Sequence, residues 1–287
     1  MFRSCCAVIY GALFWAAAAT ATPLQLEPVR LEAGIGWDDN LTQAAESRSR
    51  LGDRVATVAL SRRASLPITA NARAVFDASL LAEKLGRYGG LDRLTGGLSS
   101  QLQYRTSAAF FAPTFALVAD LQRDQYRSHQ RTGTRFGLAA NARQSWTDRI
   151  DAFAEVSWSR RDANDAVFDG VQRAVRTRVD YAAGKIGSFY GSAELRRGDV
   201  QSTNMGSELE YANAARAESA DDAFGAGYHV FRFFGRTTLW TLGWNLPLGA
   251  AHALDLSWRQ AQSWVHIPTE TVRYRSNFVS FAYLRQF

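Results

Sequence analysis

The chain has 287 residues, 47% of them hydrophobic, and a formal net charge of +6. The excess is modest and nearly all arginine, with lysine only at Lys84 and Lys185, and it is scattered along the sequence, which argues against a nucleic-acid partner. Both cysteines, Cys5 and Cys6, lie beside the N-terminus, so the rest of the chain has no disulfide, thiolate metal site or cysteine nucleophile.

The first element is a leader: Arg3, an apolar run from Cys5 to Ala19, and Ala19-Thr20-Ala21 in the small-x-small pattern of a signal-peptidase site. The run is shorter than the roughly 20 residues of a spanning helix, and Pro23 follows, so cleavage after Ala21 is expected. Cys5 and Cys6 sit too near the start to be a lipoprotein acylation site. Residues 22–287 then read as one domain, since no repeat or linker divides them.

From Val29 onward apolar residues alternate with small or polar ones, the period of a strand with two unlike faces. Val29, Leu31, Ala33, Ile35 and Trp37 oppose Arg30, Glu32, Gly34 and Gly36. The split recurs around Phe76, Leu98, Leu117, Val175 and Leu256, in segments longer than a soluble sandwich needs. Turn-like joints fall at Ala64–Asn71, Ser107–Ala109, Thr147–Arg149, Gly184–Ser188 and Pro247–Ala251. Longer polar segments intervene at Asp38–Arg54, Glu83–Arg93, Gln125–Gly133, Arg160–Gly170, Gly198–Gly227 and His266–Thr271. This pattern predicts an all-β, antiparallel up-and-down transmembrane barrel of about twelve strands, with ten or fourteen left open, short turns in the periplasm and long loops outside. Trp37, Tyr104, Tyr126, Trp146, Trp158, Tyr181, Trp244 and Tyr283 are expected in the interface girdles.

The chain ends on Val279, Phe281, Tyr283 and Phe287, with Ser280, Ala282 and Gln286 between them. This run resembles the terminal strand of bacterial outer-membrane β-barrel proteins, the porins among them. The resemblance implies an outer-membrane location amid phospholipid and lipopolysaccharide. It also implies recognition of Phe281, Tyr283 and Phe287 by the barrel-assembly machinery. Arg285 stands where that superfamily usually has an apolar residue, and snorkelling would carry its charge to the interface. Gly36-Trp37-Asp38-Asp39-Asn40 is similar to the first hairpin of barrel domains in surface-lipoprotein assembly and exopolysaccharide export, which implies a periplasmic export partner.

The inward register gives Arg30, Arg73, Arg105, Arg143, Arg176, Arg178, Arg196 and Arg259 against Glu32, Asp77, Asp120, Glu155, Asp180, Glu194 and Asp255. Two readings stand: a basic track that passes anionic solutes, or ion pairs that fill a closed barrel. Enzymatic chemistry is not expected. Ser128 and His129 are adjacent and would point apart, Asp38-Asp39 has no Asp-x-His partner, and His229, His252 and His266 stand alone at loops or a strand start. Asp162, Asn164, Asp165 and Asp169 lack calcium-loop spacing, and the glycines at 86, 89, 90, 96 and 97 precede no helix, so neither metal nor cofactor is expected. The acidic segment from Gly198 to Gly227 reads as a solvated outer loop, with an inward constriction as the alternative. The expected function is a narrow channel for small hydrophilic, anionic solutes. The alternatives are a component of an export or surface-assembly apparatus and a closed structural or adhesive barrel.

Overall fold

A computed structural model describes residues 23–206, 209–268 and 270–287; the leader expected over 1–21 lies outside the described residues. The alternating segments form β1 (Gln25–Leu26), β2 (Arg30–Asp38), β3 (Asp53–Pro67), β4 (Ala72–Leu85), β5 (Arg93–Arg105), β6 (Thr114–Tyr126) and β7 (Gly133–Ser145). There follow β8 (Ile150–Ala163), β9 (Gly170–Ala182), β10 (Ser188–Met205), a short helix α1 (Leu209–Ala214), β11 (Ala217–Ala220), β12 (Tyr228–Pro247), β13 (His252–His266) and β14 (Thr271–Gln286).

Each barrel strand pairs antiparallel with its neighbour, and β14 closes on β2 from Phe278 opposite Asp38 to Gln286 opposite Arg30. Closure leaves no free edge, so every ladder group is satisfied in lipid. β2 to β10 and β12 to β14 make the twelve-stranded ring, while β1 and β11 are short additions on β3 and β12. β1 extends the line of β2 past Pro28, which cannot donate to the ladder.

One parity of every strand is apolar and exposed. Ile35 (65%), Leu98 (63%), Leu117 (63%) and Leu242 (58%) are as open as surface lysines would be in a soluble protein. They recur around the circumference, which makes sense only for a wall facing lipid rather than a second sheet. Tyr104, Tyr181, Trp244 and Tyr283 lie on this face near the short turns. Tyr126 departs from the girdle expectation: it shares the parity of Asp120 and Asp124 and meets the Arg93 guanidinium inside, its hydroxyl 3.1 Å away.

The largest fully buried side chains are not midway along the barrel but at its extracellular end. Val230 and Phe231 are consecutive, so they point to opposite faces of β12, and both are completely buried. Phe231 packs with Phe233, Val265, Tyr274 and Tyr211 of α1, and Val230 packs with Val167 and Phe168 of the β8–β9 loop. The segment from Gly198 is therefore not a solvated loop. β10 and β12 run on past their neighbours, and the turn between them carries α1 and β11, folded back against the barrel. Its polar residues deprived it of any apolar period, yet both faces are covered.

Candidate functional site

The pairing register sets the interior from the backbone upward. Arg30 and Glu32 on β2, Arg73 and Asp77 on β4, Arg105 on β5, Asp120 on β6, Arg143 on β7 and Glu155 on β8 fall on the parity opposite the lipid-facing residues. So do Arg176, Arg178 and Asp180 on β9, Glu194 and Arg196 on β10, and Asp255 and Arg259 on β13.

Several of these groups pair. Arg178 grips Asp180 two residues along its own strand through Nη2 at 2.6 Å and Nε at 2.9 Å, and lies 4.3 Å from the Tyr190 ring centre. Arg196 pairs with Glu194 by the same spacing, Arg143 reaches Asp151 at 3.2 Å, and Arg63 reaches Asp77 at 3.7 Å. Arg176 stands opposite Glu155 and Glu194 on the neighbouring strands, and three others take partners outside the set. Arg73 donates to Gln103 at 2.8 Å, Arg105 donates to the carbonyls of Ala109 and Phe110 in its own turn, and Arg259 lies 5.1 Å from the Phe278 ring centre. Asp255 accepts the Tyr190 hydroxyl at 2.9 Å. That bond crosses β12 at Gly243, where a β-carbon would fall 2.1 Å from the tyrosine ring, so only glycine lets the side chain pass.

Inward groups that the sequence reading passed over include Asp38, Arg93, Asp124, Arg135 and Arg161. Arg135 and Arg161 converge on the buried Asp124 at 4.0 and 3.9 Å, and Arg93 pairs with Glu83. Counting by twos from Asp120, Arg143 or Glu155 would have found Asp124, Arg135 and Arg161.

The interior holds open volume. A cavity of about 450 Å³ is lined by Asp38, Arg135, Arg161, Glu194, Arg196 and Arg259, among others. A second, of about 510 Å³, shares Asp38 and Arg259 and adds Glu32, Glu83, Arg93 and Asp255. A third, of about 290 Å³, lies between Arg143, Asp151, Arg176, Arg178 and Asp180.

Above the first two lies a cap. The β4–β5 and β10–β12 connections stand on opposite sides of the ring, yet they touch. Gly90 leaves so little room that a β-carbon there would sit 2.6 Å from Ala223 Cα, and Tyr88 packs on Phe224 with ring centres 5.3 Å apart. This burial, with Tyr228 close by, pushes the Tyr88 phenol above its ordinary pKa. The latch is Asp221, fully buried, whose Oδ2 takes Arg131 Nη2 at 2.6 Å and the Thr203 hydroxyl at 2.8 Å. Arg131 in turn lies 4.2 Å from the Phe168 ring centre. Ser128 donates to Asp222, and Ser219 donates to Asp165 at 2.8 Å. The β2–β3 connection joins from its own side, the Thr203 amide donating to the Thr42 carbonyl at 2.8 Å.

The remaining candidates are absorbed by this architecture. The His129 ring meets Asn164 rather than Ser128, its Nε2 3.3 Å from the amide nitrogen, and His229 lies within β12 facing Glu218 at 3.2 Å, not in a loop. Asp38 and Asp39 tie β2 to β14 through Ser276 and Asn277. Asp165 caps the short turn ahead of Val167, and Asp169 accepts the Ala163 amide. The β8–β9 loop tucks Val167 and Phe168 beneath the cap.

A closed sheet with lipid-facing apolar side chains and a charged, partly hollow interior is a transmembrane β-barrel of the porin-like kind that occupies the bacterial outer membrane. Among solved structures, the chain is similar to an outer membrane channel from Pseudomonas putida F1, at 11% identity and a TM-score of 0.55, over 93% of this chain and 97% of that one. It also matches the NanC porin (8% identity, TM-score 0.46, 90% and 100% covered) and an anion-selective porin from Comamonas acidovorans (8%, 0.37, 92% and 99%). At these identities the likeness is one of fold. No family model and no curated protein matches the sequence.

Proposed function

We propose that the chain is a narrow channel for small hydrophilic solutes, favouring anionic ones, whose extracellular mouth is closed by its own connections in the resting conformation. The observation that carries this reading is the pair of charged cavities that share Asp38 and Arg259 beneath the cap. A barrel serving only as a structural post would gain by filling that space with apolar side chains, because buried charges cost more than they return unless fully paired. The preference for anions rests on Arg135, Arg161, Arg196 and Arg259 around the first cavity. The guanidinium fork suits carboxylate and phosphate oxygens. Transport through such a lumen needs no covalent chemistry. Refolded protein in planar bilayers under a salt gradient is expected to give discrete conductance steps with an anion-favouring reversal potential. Silence from folded protein with its cap released, or a cation preference, refutes the reading.

A further inference from the structure

The outer wall carries a feature that the channel reading does not use. Arg173 on β9 stands directly opposite Arg197 on β10, and Arg197 stands opposite Arg236 on β12. The row continues through Trp264 on β13 to Arg273 on β14, and on its other side ends at Trp158 on β8. These arginines share parity with the lipid-facing Val175, Leu195, Trp240 and Phe281, and all four are exposed. Trp264 lies two residues from the extracellular end of its strand, as Arg273 does from the start of its own, so the row marks the outer-leaflet interface. From Arg173 to Arg273 it spans four strand spacings, about 19 Å.

Like charges facing each other across strands destabilise a sheet, and three in succession are worse than two. The usual remedy is a carboxylate between them. Among the described residues none pairs with Arg173, Arg197, Arg236 or Arg273. The nearby Asp199 is turned to the Val171 amide at 2.8 Å and to Arg216 at 3.3 Å, and Asp169 to the Ala163 amide. Two of the guanidinium groups are instead spread on aromatic faces. Arg236 is 4.9 Å from the Trp264 ring centre and Arg197 is 5.6 Å from that of Phe234. Such stacking fixes the fork while leaving its donors free for an outside acceptor.

We infer that this row is a binding site for the phosphorylated head group of lipopolysaccharide in the outer leaflet. The chemistry selects that occupant. The site faces lipid rather than lumen, lies at head-group level on the extracellular side, and is long enough to engage more than one phosphate on a single molecule. Phosphates would relieve the repulsion, in a medium of lower dielectric than water that strengthens each contact.

The test uses the full-length barrel refolded in neutral detergent, with diphosphoryl lipid A as the probe and monophosphoryl lipid A and phosphatidylglycerol as comparisons, read by native mass spectrometry. Wild type is expected to retain diphosphoryl lipid A. The variant R173Q/R197Q/R236Q is expected to lose at least tenfold in affinity, and monophosphoryl lipid A to bind several-fold more weakly than the diphosphoryl form. Without lipid, the same variant is expected to melt at or above the wild-type temperature, because the repulsion is gone. Equal affinity in variant and wild type, or equal retention of phosphatidylglycerol, overturns the inference. Should the triple variant fail to fold, R197Q alone and the salt dependence of wild-type binding supply the same decision: unchanged affinity in either refutes it.

Discussion

Removing the Asp221 carboxylate isolates the latch from the barrel wall. In Asp221→Ala the fully buried Oδ2 that holds Arg131 at 2.6 Å and Thr203 at 2.8 Å is gone, and Oδ1 no longer accepts the Ala223 amide at 3.0 Å. Breaking a buried pair by deleting one partner costs about 3–5 kcal/mol, chiefly because the other charge is stranded. Arg131 keeps 15% of its side-chain exposure, so water offsets part of this and the low end, about 3 kcal/mol, is appropriate. The ladders of β2 to β14 do not depend on the latch, so the cost falls on the docked state of the cap. At about 1.4 kcal/mol per tenfold, the ratio of undocked to docked cap rises by roughly two orders of magnitude. Single-channel recording should show a matching gain in open probability, while heat-modifiable migration on gels confirms an intact barrel. Arg131→Ala should act in the same direction, and the double variant should cost less than the sum of the two. Unchanged open probability in a folded Asp221→Ala barrel, with its cap demonstrably more sensitive to protease, would refute the idea that the cap blocks passage.

Gly90→Val should push Ala223 away, since its β-carbon would start 2.6 Å from Ala223 Cα; limited proteolysis between residues 216 and 227 should accelerate while barrel melting stays near wild type. Arg259→Glu changes the wall of both larger cavities by two charge units and should move the reversal potential toward cations, on the order of twofold in permeability ratio. Deleting Phe287, whose amide donates to the Val29 carbonyl at 3.0 Å, should lower the amount assembled in the outer membrane in cells while sparing refolding in detergent. N-terminal sequencing of protein extracted from that membrane should begin at Thr22.

The wall was legible because its physics is periodic. Each of β2, β4, β5, β6, β9 and β13 alternates apolar and polar residue by residue, so simple alternation found the strands and put Arg176 and Asp255 on the polar face. The cap was not legible, for the same reason. Where β10 and β12 run beyond the ring, Thr203 and Val230 on one side and Ser202 and Phe231 on the other are all buried, and a strand covered on both faces has no alternation to read. Partner choice was equally hidden. Arg178 and Arg196 turn along their own strands to carboxylates two residues away, whereas Arg63 and Arg143 reach across, and sequence spacing does not distinguish these outcomes.

The location of charge bears on what net charge can and cannot say. The formal excess of +6 invites the inference of a basic pore, yet the inward arginines share the lumen with carboxylates on β2, β4, β6, β8, β9, β10 and β13. Arg173, Arg197, Arg236 and Arg273, which pair with no carboxylate among the described residues, lie on the outer wall, beyond the reach of a solute in the lumen. Charges outside the wall are separated from the pore by the sheet and screened by the interface, so they set how the barrel sits among anionic lipids. On the proposed channel reading, ion preference comes from the few guanidinium groups around the first cavity. Neutralising the outer row should therefore leave the reversal potential in place, and a shift there would mean that the wall field, rather than the cavity, governs selectivity.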